Sequence, residues 1–243
     1  MKHILITGCG FLGEHLLQNK NYSFAIVDKN EIGVETSFHK YKIDLANIND
    51  VEKIIQTEAP DYVIHTAANK YIDKCEQDIL TSIDDNIVAT SNLVKLKHKY
   101  GYGLVFISTD KAVEPESIYG YEKMLCERLV VQNNGVIIRL VNLMGSTGSV
   151  LPIWNKLISE KKPIVVRGKD TTRWMMSVEE ACRIIFDSLD SKGEIIVPKE
   201  IQNVNIYDLA KTLTNNIILE DSVKAFEKSS EKLYWENEKI QYK

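Results

Sequence analysis

The feature that most constrains the fold is an alternation of short apolar runs with longer amphipathic stretches. Runs rich in β-branched and aromatic residues predict strands at 3–8, 23–28, 61–68, 103–109 and 135–142. Helical spacing occupies several intervening stretches, and in 78–100 it places Ile83, Ile87, Leu93 and Leu96 on one face. Strands separated by helices predict an α/β fold of the Rossmann type, with a doubly wound parallel sheet.

The alternation becomes less regular after Gly145. Helical patterns lie near 150–160, 178–189 and 206–212, and short strand candidates at 163–166 and 194–197. We therefore predict a larger domain at 1–143 and a smaller, irregular C-terminal part at 144–243, interleaved with it. The segment 226–243 is highly charged and is expected to fray.

Composition excludes several classes of protein. With 243 residues and 44% hydrophobic side chains the chain can bury a substantial core, whereas a net charge of -4 offers no basic field for nucleic acid. No apolar stretch approaches the roughly 20 residues that cross a bilayer. The cysteines and histidines lack metal-ligand spacing. We expect a soluble cytoplasmic protein without a metal site or a membrane or nucleic-acid partner.

A glycine-rich turn joins the first predicted strand to the first helix. Gly8, Gly10 and Gly13 have G-x-G-x-x-G spacing and enclose Phe11 and Leu12. The first glycine suits a tight turn, the second lets the backbone approach a pyrophosphate, and the third lets helix and strand pack closely. This segment is predicted to bind a dinucleotide, with the phosphates at the helix N-terminus.

Acidic residues at two later strand ends are candidates for the adenosine half. Asp28 ends the second strand twenty residues after Gly8, where a carboxylate can bind ribose hydroxyls. This favours NAD over NADP, although Lys29 next to it could attract a 2′-phosphate. Asp44 and Leu45 follow the third strand and are candidates for the contact with adenine. The alternative is that they are only an acidic residue and an apolar neighbour at a strand end.

Tyr119 and Lys123 are four residues apart and share one face of a helix that begins near Ile118, with Ser117 as its predicted cap. A nearby ammonium and a nicotinamide ring both favour phenolate, so this tyrosine could accept a proton from a substrate alcohol. Tyr-x-x-x-Lys spacing alone also fits an exposed surface helix.

Longer motifs carry a family resemblance. Residues 65–78 (HTAANKYIDKCEQD), 107–123 (ISTDKAVEPESIYGYEK), 139–154 and 171–181 (TTRWMMSVEEA) resemble extended short-chain dehydrogenases/reductases of the polysaccharide-biosynthesis branch. Within that branch the chain is similar to UDP-N-acetylglucosamine 4,6-dehydratases. A tyrosine at 119 is more like the C5-inverting type.

The resemblance implies roles for three consecutive residues. Thr109 would hydrogen-bond the C4 oxygen, Asp110 would be the acid at C6, and Lys111 the base at C5. Oxidation at C4 acidifies the C5 proton, and loss of water from C6 requires an acid, so a dehydratase needs the pair that a plain dehydrogenase does not. Tyr119 and Lys123 would complete the catalytic set.

Other matching positions imply ligand contacts. Cofactor positions, besides those above and Tyr119 and Lys123, are Ala67, Ala68, Lys70 and Asn86. Substrate positions are Lys70, Asn142, Ser149, Val150 and Arg173, with the arginine suited to a pyrophosphate. The resemblance also implies a UDP-linked sugar, NAD or NADP, and a homo-oligomer.

The chain departs from the family in its glycine motif, which is one residue shorter than the usual G-x-x-G-x-x-G, and in the substrate part. Thr147 stands where arginine is common, and residues 227–236 (EKSSEKLYWE) replace a block that contains proline and glycine. These changes leave open a nucleotide-sugar 4-epimerase or 4-keto-sugar reductase on the same fold. From another class, a non-catalytic NAD(P)-binding regulatory protein also stays open.

Overall fold

A computed structural model describes residues 1–35, 37–146 and 149–243 of the chain. Its strands, in chain order, are β1 His3–Thr7, β2 Ser23–Asp28, β3 His39–Lys42, β4 Tyr62–His65, β5 Gly103–Thr109, β6 Val136–Leu140, β7 Asn142–Leu143, β8 Ile164–Arg167, β9 Thr172–Met176, β10 Ile195–Val197, β11 Gln202–Asn205, β12 Ile217–Glu220 and β13 Gln241–Tyr242.

Helices connect these strands. They are α1 Phe11–Leu16, α2 Ile48–Glu58, α3 Ile72–Gln77, α4 Ile79–Ile83, α5 Ala89–Tyr100, α6 Ile118–Gln132, α7 Val150–Ser159, α8 Val178–Asp187 and α9 Ile206–Leu213. A π-helical segment at Asp84–Val88 joins α4 to α5, so one helix runs from 79 to 100, as the apolar face in that stretch predicts.

Eight strands form the main sheet in the order β13-β10-β6-β5-β4-β1-β2-β3, and every adjacent pair is parallel. β1 pairs with β2 on one side and β4 on the other, so the chain order reverses there. This arrangement confirms the predicted Rossmann-type α/β fold. Ligands of such sheets bind at the carboxyl ends of the strands beside this reversal.

The core lies on both faces of the sheet. All residues of β4 and β6 are buried, as expected for parallel strands covered by helices on both sides. One apolar cluster contains Ile184 and Ile185 of α8, and the other contains Leu93 of α5 and Val130 of α6. The two packed faces hold the carboxyl ends of the strands rigidly in place.

The second part of the chain forms two small sheets, β11-β9-β7 and β12-β8. Trp154 of α7 and Ile206 of α9 pack on them in a third apolar cluster. The predicted strands at 163–166 and 194–197 correspond to β8 and β10. Because β10 and β13 join the main sheet, the chain returns to it twice after residue 143; the division at 143 stays a prediction.

The expectation that 226–243 frays is wrong. Arg139, which is fully buried, donates to the Leu233 carbonyl (2.8 Å) and to both carboxylate oxygens of Glu238 (2.8 and 3.2 Å). β13 also pairs with β10. One of the charges in this segment, Glu238, is therefore the partner of a buried arginine.

Among the helices of the described ranges, none combines the length and apolar character that crossing a membrane requires.

Candidate active site

A cavity of about 1180 Å³ opens at the carboxyl ends of β1, β4 and β5 and extends to the second part of the chain. It contains most of the side chains that the sequence singles out. Those on its wall are Gly8, Gly10, Phe11, Leu12, Gly13, Asp28, Asp44, Leu45, Ala67, Ala68, Lys70, Thr109, Lys111, Tyr119, Lys123, Asn142, Ser149, Val150 and Arg173. Asn86 and Asp110 are not on the wall.

The glycine turn has the geometry that its spacing predicts. Gly8 has a φ of +89°, and a Cβ there would lie 2.6 Å from the Ala67 nitrogen. A Cβ on Gly13 would lie 2.2 Å from the Gly8 carbonyl oxygen, whereas one on Gly10 would meet nothing within 4 Å. Gly8 and Gly13 thus allow close packing, and Gly10 leaves bare backbone toward the cavity. These features fit a dinucleotide pyrophosphate.

The end of β2 is tied to this turn. One Asp28 carboxylate oxygen accepts a hydrogen bond from the Cys9 amide (2.8 Å), and the other accepts one from the Asn30 amide (2.8 Å). Lys29 is not directed at an open ribose position, because its ammonium lies 2.5 Å from the Asp85 carboxylate of the π-helical segment. The carboxylate at the strand end therefore keeps its predicted place beside the glycines.

Asn86 supports the cavity from behind. Its side-chain oxygen accepts from the Asn69 amide (2.8 Å), and its nitrogen donates to the Asn69 carbonyl (3.1 Å) and to Glu122 (2.6 Å). Asn69 belongs to the loop after β4 that also carries Ala67 and Ala68. The buried amide thus fixes this loop, and its role toward the cofactor stays a prediction.

Thr109, Asp110 and Lys111 form a connected group at the end of β5. The Thr109 hydroxyl donates to Asp110 Oδ1 (2.9 Å), and Lys111 Nζ donates to the same oxygen (3.2 Å). Thr109 also caps the short 3₁₀ turn that follows, because its hydroxyl accepts from the Lys111 amide (3.4 Å). Lys111 faces the cavity, while Asp110 lies behind it with 1% of its surface exposed.

Asp110 has one further notable feature. Its Oδ2 is buried and has no hydrogen-bond partner among the described residues. A buried carboxylate oxygen without a partner is costly, and such groups concentrate where a ligand or a reaction completes the hydrogen bonding. Asp110 is therefore placed to receive a polar group beside Lys111.

Tyr119 and Lys123 lie on α6, which begins as predicted, with the Ser117 hydroxyl accepting from the Gly120 amide (3.1 Å). Burial, and next the charge of Asp110, raises the pKa of Tyr119, whereas a hydrogen bond with Thr109 lowers it. The net direction is upward, opposite to the one predicted from the Tyr119–Lys123 spacing. The protein groups alone therefore favour the neutral phenol.

Lys123 is buried beneath the site. Its ammonium donates to the Ile107 carbonyl (2.7 Å) and lies 4.3 Å from the centre of the Phe106 ring. Burial lowers its pKa to about 8. An ammonium held close to neutrality can exchange a proton or stabilise a developing phenolate at small cost.

Predicted substrate residues line the far side of the cavity. The side-chain amide of Asn142 donates a hydrogen bond to the Trp174 carbonyl (3.0 Å), which fixes β7 beside β9. The Ser149 hydroxyl is buried with no hydrogen-bond partner among the described residues, so it is available to a ligand. Burial lowers the pKa of Lys70. Thr147, the departure noted above, lies outside the described residues.

Arg173 has hydrogen-bond and ion-pair partners on the cavity wall. Its guanidinium donates to the Thr172 carbonyl (2.9 Å) and the Ser229 carbonyl (3.2 Å), and it lies 3.4 Å from a Glu227 carboxylate oxygen. Its side chain is 14% exposed. The guanidinium thus sits on the cavity wall, held by the segment that departs from the family.

Sequence reasoning missed the carboxylate of Glu231. Its Oε1 lies 3.7 Å from Lys111 Nζ, and its Oε2 pairs with the Lys228 ammonium. Only 2% of the Glu231 side chain is exposed. The altered block at 227–236 was the available signal, because it marked this segment as different without showing what it contacts.

A family model described as "Polysaccharide biosynthesis protein" matches residues 13–240. The chain belongs to this polysaccharide biosynthesis family. The match confirms the resemblance to the polysaccharide-biosynthesis branch of extended short-chain dehydrogenases/reductases. Members of the family that modify nucleotide sugars by different reactions are found among the relatives.

Three relatives are similar to most of the chain. An uncharacterized membrane protein of Methanocaldococcus jannaschii is 28% identical over 89% of this chain and 72% of its own. UDP-N-acetylglucosamine 4,6-dehydratase (inverting) of Campylobacter jejuni is 27% identical over 89% and 72%. UDP-glucose 4-epimerase of Rickettsia canadensis is 30% identical over 87% and 70%. The chain spans between 34% and 72% of the curated relatives it matches.

Solved structures share the fold. Pen from Bacillus thuringiensis superimposes with a TM-score of 0.88 at 26% identity, covering 96% of this chain and 80% of that one. The dTDP-glucose 4,6-dehydratase DesIV of Streptomyces venezuelae, with NAD and TYD bound, has a TM-score of 0.84 at 16% identity, covering 96% and 88%. The latter likeness concerns the fold alone.

Proposed function

We propose that the protein is a nucleotide-sugar 4,6-dehydratase that acts on a UDP-N-acetylglucosamine-type substrate with bound NAD or NADP. The observation that carries the proposal is the connected group of Thr109, Asp110 and Lys111, of which Thr109 and Lys111 line the same cavity as Tyr119. An acid and an amine beside a phenol are what removal of water next to a newly formed ketone requires.

The residues around the glycine turn fit the dinucleotide. Gly10 exposes backbone where a pyrophosphate can approach, and Asp28 lies beside it at the end of β2. Pairing of Lys29 with Asp85 leaves Asp28 as the dominant charge at the strand end, which supports NAD. When bound, a nicotinamide would supply the hydride chemistry, which is oxidation at C4 of the sugar and reduction at C6.

The chain's own residues then handle the protons. Tyr119, as the phenolate that a bound nicotinamide ring would favour, takes the proton of the C4 hydroxyl, with Lys123 beneath it and Thr109 hydrogen-bonded to it. Lys111, as the neutral amine, removes the proton from C5 of the ketone, and Asp110 delivers a proton to the C6 hydroxyl as it leaves as water. A proton returned to C5 completes a 4-keto-6-deoxy sugar, so the net change is loss of one water molecule.

An isotope experiment tests this function. The purified protein is incubated with UDP-N-acetylglucosamine in deuterated water, and the product is analysed by mass spectrometry and NMR. We expect a 4-keto-6-deoxy product that carries deuterium at C5, and Lys111→Met should abolish both the label and the water loss. Turnover of the sugar without water loss contradicts the dehydratase function.

The burial of Asp110 favours a second candidate, a nucleotide-sugar 4-epimerase. Oxidation and re-reduction at C4 need Tyr119, Lys123 and Thr109 but no acid at C6, and Asp110 is not on the cavity wall. An epimerase predicts a C4 epimer without deuterium at C5, and activity that survives Asp110→Asn. The same incubation therefore separates the two reactions.

A further inference from the structure

Residues 227–236 place a second carboxylate, that of Glu231, against the amine of the site. Lys111 Nζ lies between Asp110 Oδ1 at 3.2 Å and Glu231 Oε1 at 3.7 Å. Both carboxylate side chains are nearly inaccessible to solvent, at 1% and 2% exposure, while 20% of the lysine side chain is exposed. Water screens such interactions weakly, so each carboxylate acts strongly on the ammonium.

Glu231 is held in this place by its backbone. Its carbonyl oxygen accepts from the Trp174 indole nitrogen (2.9 Å), and two residues earlier the Ser229 carbonyl accepts from the Thr172 amide (2.9 Å). Trp174 and Thr172 belong to β9. The carboxylate is therefore presented by a segment bound to a strand, and its position relative to Lys111 does not depend on a flexible loop.

The charged residues around Lys111 and Glu231 form ion pairs with one another. Lys228 pairs with the other oxygen of Glu231 and donates to the Val113 carbonyl (2.8 Å). Arg173, whose charge opposes protonation of Lys111, pairs in turn with Glu227. Burial lowers the pKa of Lys111, and so does the charge of Arg173. The charges of Asp110 and then Glu231 raise it, and the net direction is upward.

We propose that Glu231 is a positioning residue that holds the Lys111 amine at the cavity wall and sets the pH range in which it becomes a base. The proposal rests on the proposed function for the identity of the reaction. The charge coupling itself depends only on the three side chains. Removal of a proton from C5 needs neutral Lys111, so a change in the lysine's proton affinity moves the acidic limb of the pH–rate profile.

Glu231→Gln removes the charge and keeps the size of the side chain. We expect the acidic limb of C5 deuterium incorporation to move to lower pH by about one unit, the usual effect of one opposite charge at this range. Glu231→Asp retains the charge but holds it farther from the amine, so it should move the limb in the same direction by a smaller amount than Glu231→Gln. Glu236→Gln neutralises an exposed carboxylate of the same segment and is the matched control.

A measurement without substrate separates this proposal from the proposed function. The reactivity of the Lys111 amine toward acetic anhydride is followed from pH 6 to 11 by mass spectrometry of the peptide that contains it. We expect the midpoint of Lys111 acetylation to fall in Glu231→Gln by about the same one unit, whatever sugar reaction the protein catalyses.

Two results overturn the proposal. One is an acetylation midpoint that is the same in Glu231→Gln and wild type. The other is a rise in KM for the nucleotide sugar with no change in the midpoint or the acidic limb, which would make Glu231 a substrate contact. If Glu231→Gln does not fold, the Glu231→Asp variant decides, because moving the carboxylate back by one methylene must shift the midpoint downward by a smaller amount.

Discussion

At the scale of single residues, one group whose pKa is strongly perturbed away from the reacting atoms is His65 at the end of β4. Its ring nitrogens form hydrogen bonds with the hydroxyls of Thr7 (2.7 Å) and Thr90 (3.1 Å). The residue is buried, with 1% of its surface exposed. Burial, and next the charge of Lys123, lowers the pKa of His65 to about 3. The folded protein therefore holds this histidine neutral, whereas the unfolded chain protonates it near pH 6.5.

This difference predicts acid sensitivity. Between pH 6.5 and 3 the unfolded state binds a proton that the folded state does not, so stability present above pH 6.5 is lost as the pH falls. For His65 the loss between pH 7 and pH 5 is about 2 kcal/mol. Urea unfolding of wild type and His65→Gln at pH 5, 6 and 7 measures it: the stability advantage of the wild type should shrink by that amount.

The control for this prediction is an exposed histidine. His98 lies on the surface of α5 and bonds to Asn133 (2.6 Å). His98→Gln should follow the wild-type pH dependence of unfolding. If His65→Gln loses stability on acidification as steeply as the wild type, His65 is not the group that titrates.

At the scale of secondary structure elements, we expect the choice between NAD and NADP to depend on the end of β2 and the π-helical segment. Lys29 and Asp85, 2.5 Å apart, both lie on the cavity wall. Asp85→Asn frees the ammonium for a 2′-phosphate, so the affinity for NADP should rise about fivefold, roughly 1 kcal/mol, while that for NAD changes less than about twofold. Titration of both cofactors by calorimetry gives the two dissociation constants.

A second variant makes this prediction specific. Combining Asp85→Asn with Lys29→Ala removes the freed ammonium, so the affinity for NADP should return to the wild-type value or fall below it. If Asp85→Asn weakens both cofactors equally, the ion pair supports the shape of the cavity and not the choice between them.

Sequence alone predicts the elements whose side chains are buried on both faces. β1, β2, β4, β5 and β6 appear as continuous apolar runs because helices cover both sides of the sheet. β7, β9 and β11 were missed. Residues 202–205 (QNVN), for example, are largely polar and half exposed or exposed, and they become a strand only by pairing with 172–175. The strand propensity of the single residues contains little information about this pairing.

The candidate site divides in the same way. Thr109 to Lys123 is visible because the reacting side chains are close in sequence and follow one strand. Glu231 is separated from Lys111 by more than a hundred residues, and its burial depends on the three-dimensional path of a charged segment. Periodicity cannot show such a contact, since an acidic residue in a polar stretch has the pattern of an exposed one.

At the scale of the whole molecule, one buried arginine connects the C-terminal segment to the sheet. Arg139 of β6 makes a bidentate pair with Glu127 of α6 (3.0 and 2.6 Å) and a second pair with Glu238. Glu127 also accepts from Ser108 on β5 (2.5 Å). The network thus extends from the strand that ends at the site to the segment that carries Glu231.

Glu238→Ala should therefore loosen the C-terminal segment and disturb the site at the same time. Loss of a charge-assisted pair with a buried guanidinium costs about 1–3 kcal/mol. Hydrogen exchange should increase in residues 231–243 and leave β1 at the heart of the sheet protected, because local opening requires less energy than global unfolding. Glu236→Ala, which removes an exposed carboxylate two residues away, should change neither region.

The same variant should also alter the chemistry of Lys111. If the C-terminal segment opens, Glu231 leaves Lys111 for part of the time, and the acetylation midpoint of Lys111 should fall in the direction expected for Glu231→Gln, by a smaller amount. Increased exchange in 231–243 without a shift in that midpoint would mean that Glu231 keeps its place independently of Arg139. Equal increases in exchange throughout the sheet would instead make Arg139 and Glu238 part of the global core, with no separate hold on the segment over the site.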